Sequence, residues 1–247
     1  EYYTRGSFEG PVEITDDSNE DDDDDGTSTL EKDYKMDLSY IKSATLLTDD
    51  KVYIKRMGYR PAERWGVGVQ MVGIGKRSGT RMSDICWFEF LTEPGMEMYL
   101  EPGEYPVADN NYPDAYFKPG VACAGTLLAY EDRGCYWRHF YQVGNYPEGY
   151  IDGHAYFYEG QIDVSYNEPT EEYTFDIDGI CVRKHHVRDS WTGPVYAADG
   201  RKITPAPAGA LTQAKAAKTN KGVLGIPAKD ITPYATPTPY VKLNPQK

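Results

Sequence analysis

Short runs in which apolar and polar residues alternate dominate the chain between residues 34 and 188. Such alternation places successive side chains on opposite faces of a strand. The first runs are 36–41 with 44–47, and then 52–57. Others follow at the spacing of about 8–12 residues typical of all-β domains: 65–75, 85–91, 96–100, 125–131, 135–143, 150–158, 161–166, 173–177 and 180–187. No amphipathic helix interrupts them, so the pattern predicts an antiparallel β-sandwich, jelly-roll or immunoglobulin-like, over residues 34–188.

Turn-forming sequences separate these runs. Asp178-Gly179, flanked by alternating apolar residues, predicts a tight hairpin. The stretch 65–75 carries Gly66, Gly68, Gly73 and Gly75, but their spacing does not fit a dinucleotide loop and no helix follows. This stretch is therefore interpreted as a strand whose glycine face packs under a bulky neighbour, or as a bulged strand.

The two ends of the chain differ from its middle and from each other. Residues 1–33 hold 13 acidic and 2 basic residues and are predicted to be an acidic extension. Residues 189–247 are rich in Pro, Ala, Lys and Thr. They are predicted to be an extended tail with one short helix, 210–221, which Gly222 ends. Because 201–247 holds 8 basic residues and 1 acidic residue, the ends could attract each other or bind different partners.

The whole chain of 247 residues has a formal net charge of −13, which argues against nucleic acid as its main partner. No apolar stretch is long enough to predict a transmembrane helix. The chain begins at Glu1 without an initiator Met, so we expect a mature or trimmed form. Membrane attachment would then depend on a lipid anchor upstream of Glu1.

Four cysteines, Cys86, Cys123, Cys135 and Cys181, lack the spacing of a zinc ribbon. Their even number permits two disulfides. Their apolar surroundings favour four buried free thiols to a similar degree.

The run Asp21–Asp25, followed by Gly26, resembles the start of a calcium loop, because alternate carboxylates can point inward around a cation. An EF-hand is disfavoured, since Lys32 occupies the position of the closing ligand. The remaining hypotheses are a looser Ca²⁺ site and a solvated linker. The loop would use oxygen ligands from Asp21, Asp23, Asp25, Thr27 and Glu31.

No catalytic motif stands out. The chain has no nucleophile-elbow sequence and no convincing Ser/His/Asp or Cys/His arrangement. A metal site that joins His139 and His154 is conceivable, although their spacing does not indicate one. We therefore expect a protein that is not an enzyme.

Aromatic residues cluster between 136 and 158. Along a strand, Trp137, His139 and Tyr141 share one face, and Tyr136, Arg138 and Phe140 share the other. One face should belong to the core. We name Trp137, His139 and Tyr141 as the candidate ligand-binding face, for a glycan, a peptide or a partner protein.

Two phrases carry a family resemblance. Residues 99–107, Tyr-Leu-Glu-Pro-Gly-Glu-Tyr-Pro-Val, are similar to a strand–turn–strand phrase of secreted and surface β-sandwich lipoproteins of Bacteroidetes. Residues 158–164 with 173–179 look like a second phrase of that group. The resemblance covers about 100–180. It implies an exported, non-catalytic protein on the extracellular side of the outer membrane, such as an accessory lipoprotein of SusC/SusD-like uptake complexes.

The leading expectation is therefore a cell-surface protein that acts by binding or assembly with an envelope partner. One alternative is a carbohydrate-binding module that uses the aromatic face. Another is a fimbrial or filament subunit whose C-terminal segment is donated to a neighbour. A third is a hydrolase that uses a pair of carboxyl groups on predicted strands, with these candidates: Glu89, Glu131, Asp152, Glu159 and Asp163.

Overall fold

The computed structural model describes residues 28–54, 58–75, 82–108, 117–128, 131–141 and 150–213. Strands dominate these ranges, with one 3-10 helical turn at Ala62–Trp65 between β4 and β5. The strands are β1 Tyr34–Lys35, β2 Ala44–Asp49, β3 Lys51–Ile54, β4 Gly58–Pro61, β5 Gly68–Ile74, β6 Met82–Thr92, β7 Gly103–Ala108, β8 Val121–Cys123, β9 Thr126–Leu128, β10 Glu131–Arg133, β11 Tyr136–Tyr141, β12 Tyr150–Tyr156, β13 Glu159–Asn167, β14 Glu172–Ile180, β15 His186–Gly193 and β16 Val195–Ala197.

Twelve of the strands form one large curled sheet. Its order is β1-β15-β14-β13-β7-β8-β6-β5-β2-β16, and β11 joins β6 to β12. The pairs β1/β15, β7/β8 and β2/β16 are parallel, while the other pairs are antiparallel. The all-β prediction is confirmed. The three parallel pairs depart from a purely antiparallel sheet, because each joins segments that a hairpin cannot connect.

The main core lies inside the curl, between strands β13–β15 and strands β2, β5 and β6. Phe88 of β6 stacks on Phe175 of β14, with ring centroids 6.1 Å apart. Ile162, Val187 and Trp191 extend this contact along the other half of the sheet. Each such buried side chain stabilises the fold by about 1.5–3 kcal/mol relative to an exposed one, so these contacts hold the two halves together.

A second apolar cluster covers the opposite face of β5 and β6. Val69 and Leu91 contribute from the sheet, while Val52 and Ala62 contribute from β3 and the 3-10 turn. β5 is therefore covered on both faces. The glycine-face interpretation of this strand is confirmed, because a Cβ on Gly73 would lie 2.2 Å from a ring carbon of Trp87.

The segment 36–41 is not a strand, although its alternation predicts one. Its apolar residues are buried by an irregular path along the core. Carboxylates replace strand partners: the Asp37 amide donates to Asp84 and the Leu38 amide donates to Asp189, at 2.7 and 3.1 Å. Met96–Leu100 likewise forms turns instead of the predicted strand, with Met96 and Leu100 buried.

The hairpin predicted at Asp178-Gly179 is wrong. Both residues lie inside β14, where Asp178 pairs with Gln161 on one side and with Arg188 on the other. Gly179 is required there for packing, since a Cβ would lie 2.5 Å from the buried ring of Phe157. The turn that joins β13 to β14 lies instead in residues 168–171.

The sheet extends past both limits of 34–188. Ser28 forms a bridge with Ala155, and Leu30 packs into the core. Residue 188 lies within β15, β16 continues to Ala197, and Ile203 is fully buried. A helical turn occupies 210–213. The rest of the predicted helix lies outside the described residues.

No helix in the described ranges has both the length and the apolar character that crossing a lipid bilayer requires.

Candidate binding surface

The predicted ligand face around Trp137 faces the core. Trp137 is only 2% exposed, and its ring lies 4.4 Å from that of Tyr34. An aromatic platform needs an exposed ring face, which Trp137 does not offer. His139 is partly buried and stands opposite Gly153 on β12. Tyr141 is the last residue of β11, the strand that also holds Trp137 and His139, and it pairs with Tyr150 of β12.

Asp84 explains why Trp137 is held inside. The carboxylate of Asp84 is 3% exposed and accepts a hydrogen bond of 2.7 Å from the Trp137 indole N–H. It also accepts from the Tyr34 hydroxyl at 3.2 Å and from the Asp37 amide. The backbone amide of Asp84 donates a hydrogen bond to the Tyr40 hydroxyl, at 3.0 Å. Asp84 thus joins the irregular N-terminal segment to β6 and β11.

The opposite face of β11 is also closed. Tyr136 and Tyr156 are 7% and 2% exposed. Asp132 of β10 accepts a hydrogen bond of 2.5 Å from the Tyr156 hydroxyl and forms an ion pair with Arg138. Burial raises the pKa of Tyr156 to about 12, and the bond to Asp132 adds to the rise. This face therefore packs under the β9–β10 hairpin.

The candidate calcium ligands Asp21, Asp23, Asp25 and Thr27 lie outside the described residues. Glu31 is exposed, and it follows the short bridge at Ser28. Within the described ranges no group of three His, Cys, Asp or Glu side chains is arranged to hold a metal ion. Ca²⁺ binding therefore stays a prediction for the acidic run.

The register of β11 and β12 separates the two histidines of the conceivable metal site. His139 pairs with Gly153, whereas His154 pairs with Arg138. Neighbouring residues of a strand point to opposite faces, so His139 and His154 lie on different faces of the sheet.

The four cysteines are free and buried, so the two-disulfide alternative is wrong. Burial raises the pKa of the Cys86 and Cys123 thiols well above the ordinary range. Such thiols are poor nucleophiles. The Cys86 sulfur lies 3.1 Å from that of Met36, which fits a packing role.

Glu89 is a second buried carboxyl group on β6, 3% exposed. The Gly134 amide donates to it at 3.2 Å, and the Cys123 thiol donates to it as well. Burial raises the pKa of Glu89, and these two hydrogen bonds oppose the rise without cancelling it. From the sequence, Glu89 is only one of several carboxyl groups on or beside predicted strands, and nothing there predicts its burial.

An acidic surface lies on the outer side of β7, β13, β14 and β15, and we call it the acidic face. Register places Glu104, Asp163 and Asp176 side by side on three neighbouring strands. Ser190 follows opposite Asp176 on β15. Like charges directly opposite each other destabilise a sheet, so this row of carboxylates favours a positively charged partner.

A shallow depression of about 840 Å³ lies over this surface. Its lining includes Asp163, Asp176, Asp178, Gln161 and Arg188. The Gln161 amide donates to Asp163 at 2.6 Å, which orients that carboxylate along the strand. The depression is thus open, and acidic side chains outnumber the basic ones, Lys35 and Arg188, in its lining.

Two basic side chains contact Asp178, which lines the depression. Arg188 donates to Asp178 at 2.9 Å, and His186 Nδ1 lies 2.6 Å from the same carboxylate oxygen. Burial opposes ionisation of Asp178, but these contacts outweigh it and lower the pKa of the carboxyl group. Asp33 also approaches Arg188, at 4.0 Å. The pairing leaves the Asp163–Asp176 end as the more negative part.

The sequence comparisons add no relative. A scan against protein-family models and searches of curated proteins and of solved structures found no match to this chain.

Proposed function

We propose that this protein is a non-catalytic binding and assembly component of the cell envelope, and that its acidic face contacts a basic surface of a protein partner. The observation that carries the proposal is the row Glu104, Asp163 and Asp176 on adjacent strands. Three carboxylates in register cost stability in the free protein. A partner that supplies Lys or Arg side chains relieves this repulsion and gains charge-assisted hydrogen bonds.

The shape of the surface supports contact with a macromolecule over turnover of a small substrate. Catalytic sites exclude water by enclosing the reacting groups, whereas the acidic face is an open sheet surface. The two buried carboxylates, Asp84 and Glu89, point into packed protein instead of into this depression. Surfaces of this kind steer an oppositely charged partner toward a fixed orientation.

The finer fold and location form part of the same proposal. The two halves of the curled sheet pack face to face through Phe88 and Phe175, which favours a sandwich-like arrangement. The phrases in 99–107 and in 158–164 with 173–179 favour an accessory lipoprotein on the extracellular side of the outer membrane. A lipid upstream of Glu1 would anchor it in the membrane, and its partner would be a SusC/SusD-like complex.

The test is co-purification of the full chain from native membranes after mild chemical cross-linking. We expect one or more envelope proteins with a basic exposed surface, and less capture as the salt concentration rises, because exposed charges are screened beyond about 10 Å at 0.1 M salt. Recovery only as a free monomer in the soluble fraction would contradict the proposal.

A further inference from the structure

A groove of about 430 Å³ lies beside the C-terminal part of the described chain. Leu91, Met96, Tyr105 and Pro119 give it an apolar lining. Its volume lies within the range of about 300–1,000 Å³ that is typical of binding pockets. The groove is therefore large enough to take several aliphatic side chains.

The chain's own C-terminal segment already forms one wall of this groove. Ile203 is anchored in the core, and its amide donates to the Val195 carbonyl at 2.8 Å. The Ala206 amide then donates to the carboxylate of Glu101 at 2.6 Å. Leu211, which is 43% exposed, completes the wall. The path of the chain thus leads along the groove as far as Leu211, and the described residues end at Gln213.

The residues that follow have the chemistry that this groove lacks. The stretch 223–227, Val-Leu-Gly-Ile-Pro, is the first apolar run after Gln213. Lysines flank it at Lys215, Lys218, Lys221 and Lys229. Carboxylates line the groove at Glu93, Glu101 and Glu104. The apolar run of the segment would then face the apolar lining of the groove, and its flanking lysines would face the carboxylates at the rim. An apolar centre with a polar rim is the usual arrangement of a protein contact.

We propose that residues 223–227 bind in this groove of the same molecule. Residues 214–222 span up to about 30 Å when extended, and Gly222 permits the chain to reverse direction. A tethered segment meets its site at an effective concentration in the millimolar range, roughly, so a modest affinity suffices. Glu104 belongs to both surfaces, but the groove contact lies within one chain and does not depend on a partner at the acidic face.

The test places the photo-cross-linker p-benzoylphenylalanine at Leu224 in the full chain and maps the adducts by mass spectrometry. We expect adducts within one chain, to Met96, Pro102, Tyr105 or Pro119. The same probe at Val241, another apolar residue of the tail, should give about tenfold fewer groove adducts. A tenfold difference corresponds to about 1.4 kcal/mol of binding free energy in favour of position 224.

A pair of matched variants separates binding from chance proximity. Leu211→Asp puts a charge on the groove wall and should lower the adduct yield from position 224 about tenfold. Leu127→Asp changes a leucine that is 46% exposed and lies outside the groove, so the yield should stay unchanged. Adducts to the acidic face, adducts between two chains, or equal yields from positions 224 and 241 would overturn the proposal.

Discussion

At the scale of single residues, Asp84 and Glu89 show how two buried carboxyl groups on one strand can act differently. Asp84 accepts hydrogen bonds from an indole, a hydroxyl and an amide. Glu89 has an amide and a thiol, and burial still raises its pKa. The first group accepts from three donors and joins separate segments. The second carries an electrostatic cost at neutral pH.

Asp84→Ala should lower the free energy of unfolding by about 3 kcal/mol or more, because it leaves several buried donors without an acceptor. Urea denaturation followed by tryptophan fluorescence measures this, since Trp137 is one of the donors. Asp176→Ala is the control: it removes a carboxylate from the acidic face and should change stability by less than about 0.5 kcal/mol. Equal effects of the two variants would refute the anchoring role of Asp84.

Glu89→Gln should stabilise the protein at neutral pH. Because the pKa of Glu89 is raised above its ordinary value of 4.5, the folded protein holds this proton to higher pH than the unfolded chain. Its contribution to stability is therefore complete below pH 4.5 and is lost as the pH rises through the folded pKa. Over that window the loss reaches up to about 1.4 kcal/mol per pH unit.

The measurement is the free energy of unfolding of both proteins between about pH 4.5 and pH 8. The advantage of Glu89→Gln over the wild type should grow with pH. Cys181→Ser is a matched control, because it changes another buried polar position without adding or removing a carboxyl group. A constant difference between Glu89→Gln and the wild type over this range would show that the carboxyl group does not titrate as described.

At the scale of secondary-structure elements, the alternation of apolar and polar residues predicts which side chains are buried. It predicts less reliably which segments pair as strands. Two of the predicted runs, 135–143 and 161–166, contain strands, β11 over Tyr136–Tyr141 and β13 over Glu159–Asn167. The run 36–41 alternates equally well, but Asp84 and Asp189 supply its hydrogen bonds from a distance. Asp178-Gly179 has the sequence of a turn, yet β14 continues through it. Long-range contacts of this kind leave no local signal.

Gly179→Ala tests the packing reason for that continuation. The added methyl group would meet the buried Phe157 ring at 2.5 Å, and overpacking of this kind costs about 1–3 kcal/mol. Gly103→Ala is the control, because its nearest neighbour is a Tyr105 ring carbon at 3.8 Å. Thermal unfolding should show a clearly lower midpoint for Gly179→Ala alone. A similar midpoint for both variants would mean that the glycine is not needed for packing.

At the scale of the whole molecule, charge and register together produce the acidic face on which the proposed function rests. The chain carries a net charge of −13, which composition alone reveals. The acidic face depends on pairing β7 with β13 and β13 with β14, so it could not be predicted from the sequence. The aromatic cluster was visible in the sequence, but its burial depended on Asp84 and on the β9–β10 hairpin. Both the acidic face and the burial of the aromatic cluster therefore depend on which strands are neighbours in the sheet.

The most direct measurement compares three full-length proteins in cross-linked co-purification from native membranes: wild type, Asp163→Asn with Asp176→Asn, and Glu168→Gln. Asn keeps the size of the side chain and removes the charge, while Glu168 is an exposed carboxylate in the β13–β14 turn. The account predicts that the double variant loses about tenfold or more of the captured partner, and that Glu168→Gln captures as much as the wild type. Equal capture by all three proteins would contradict the acidic face as the contact surface.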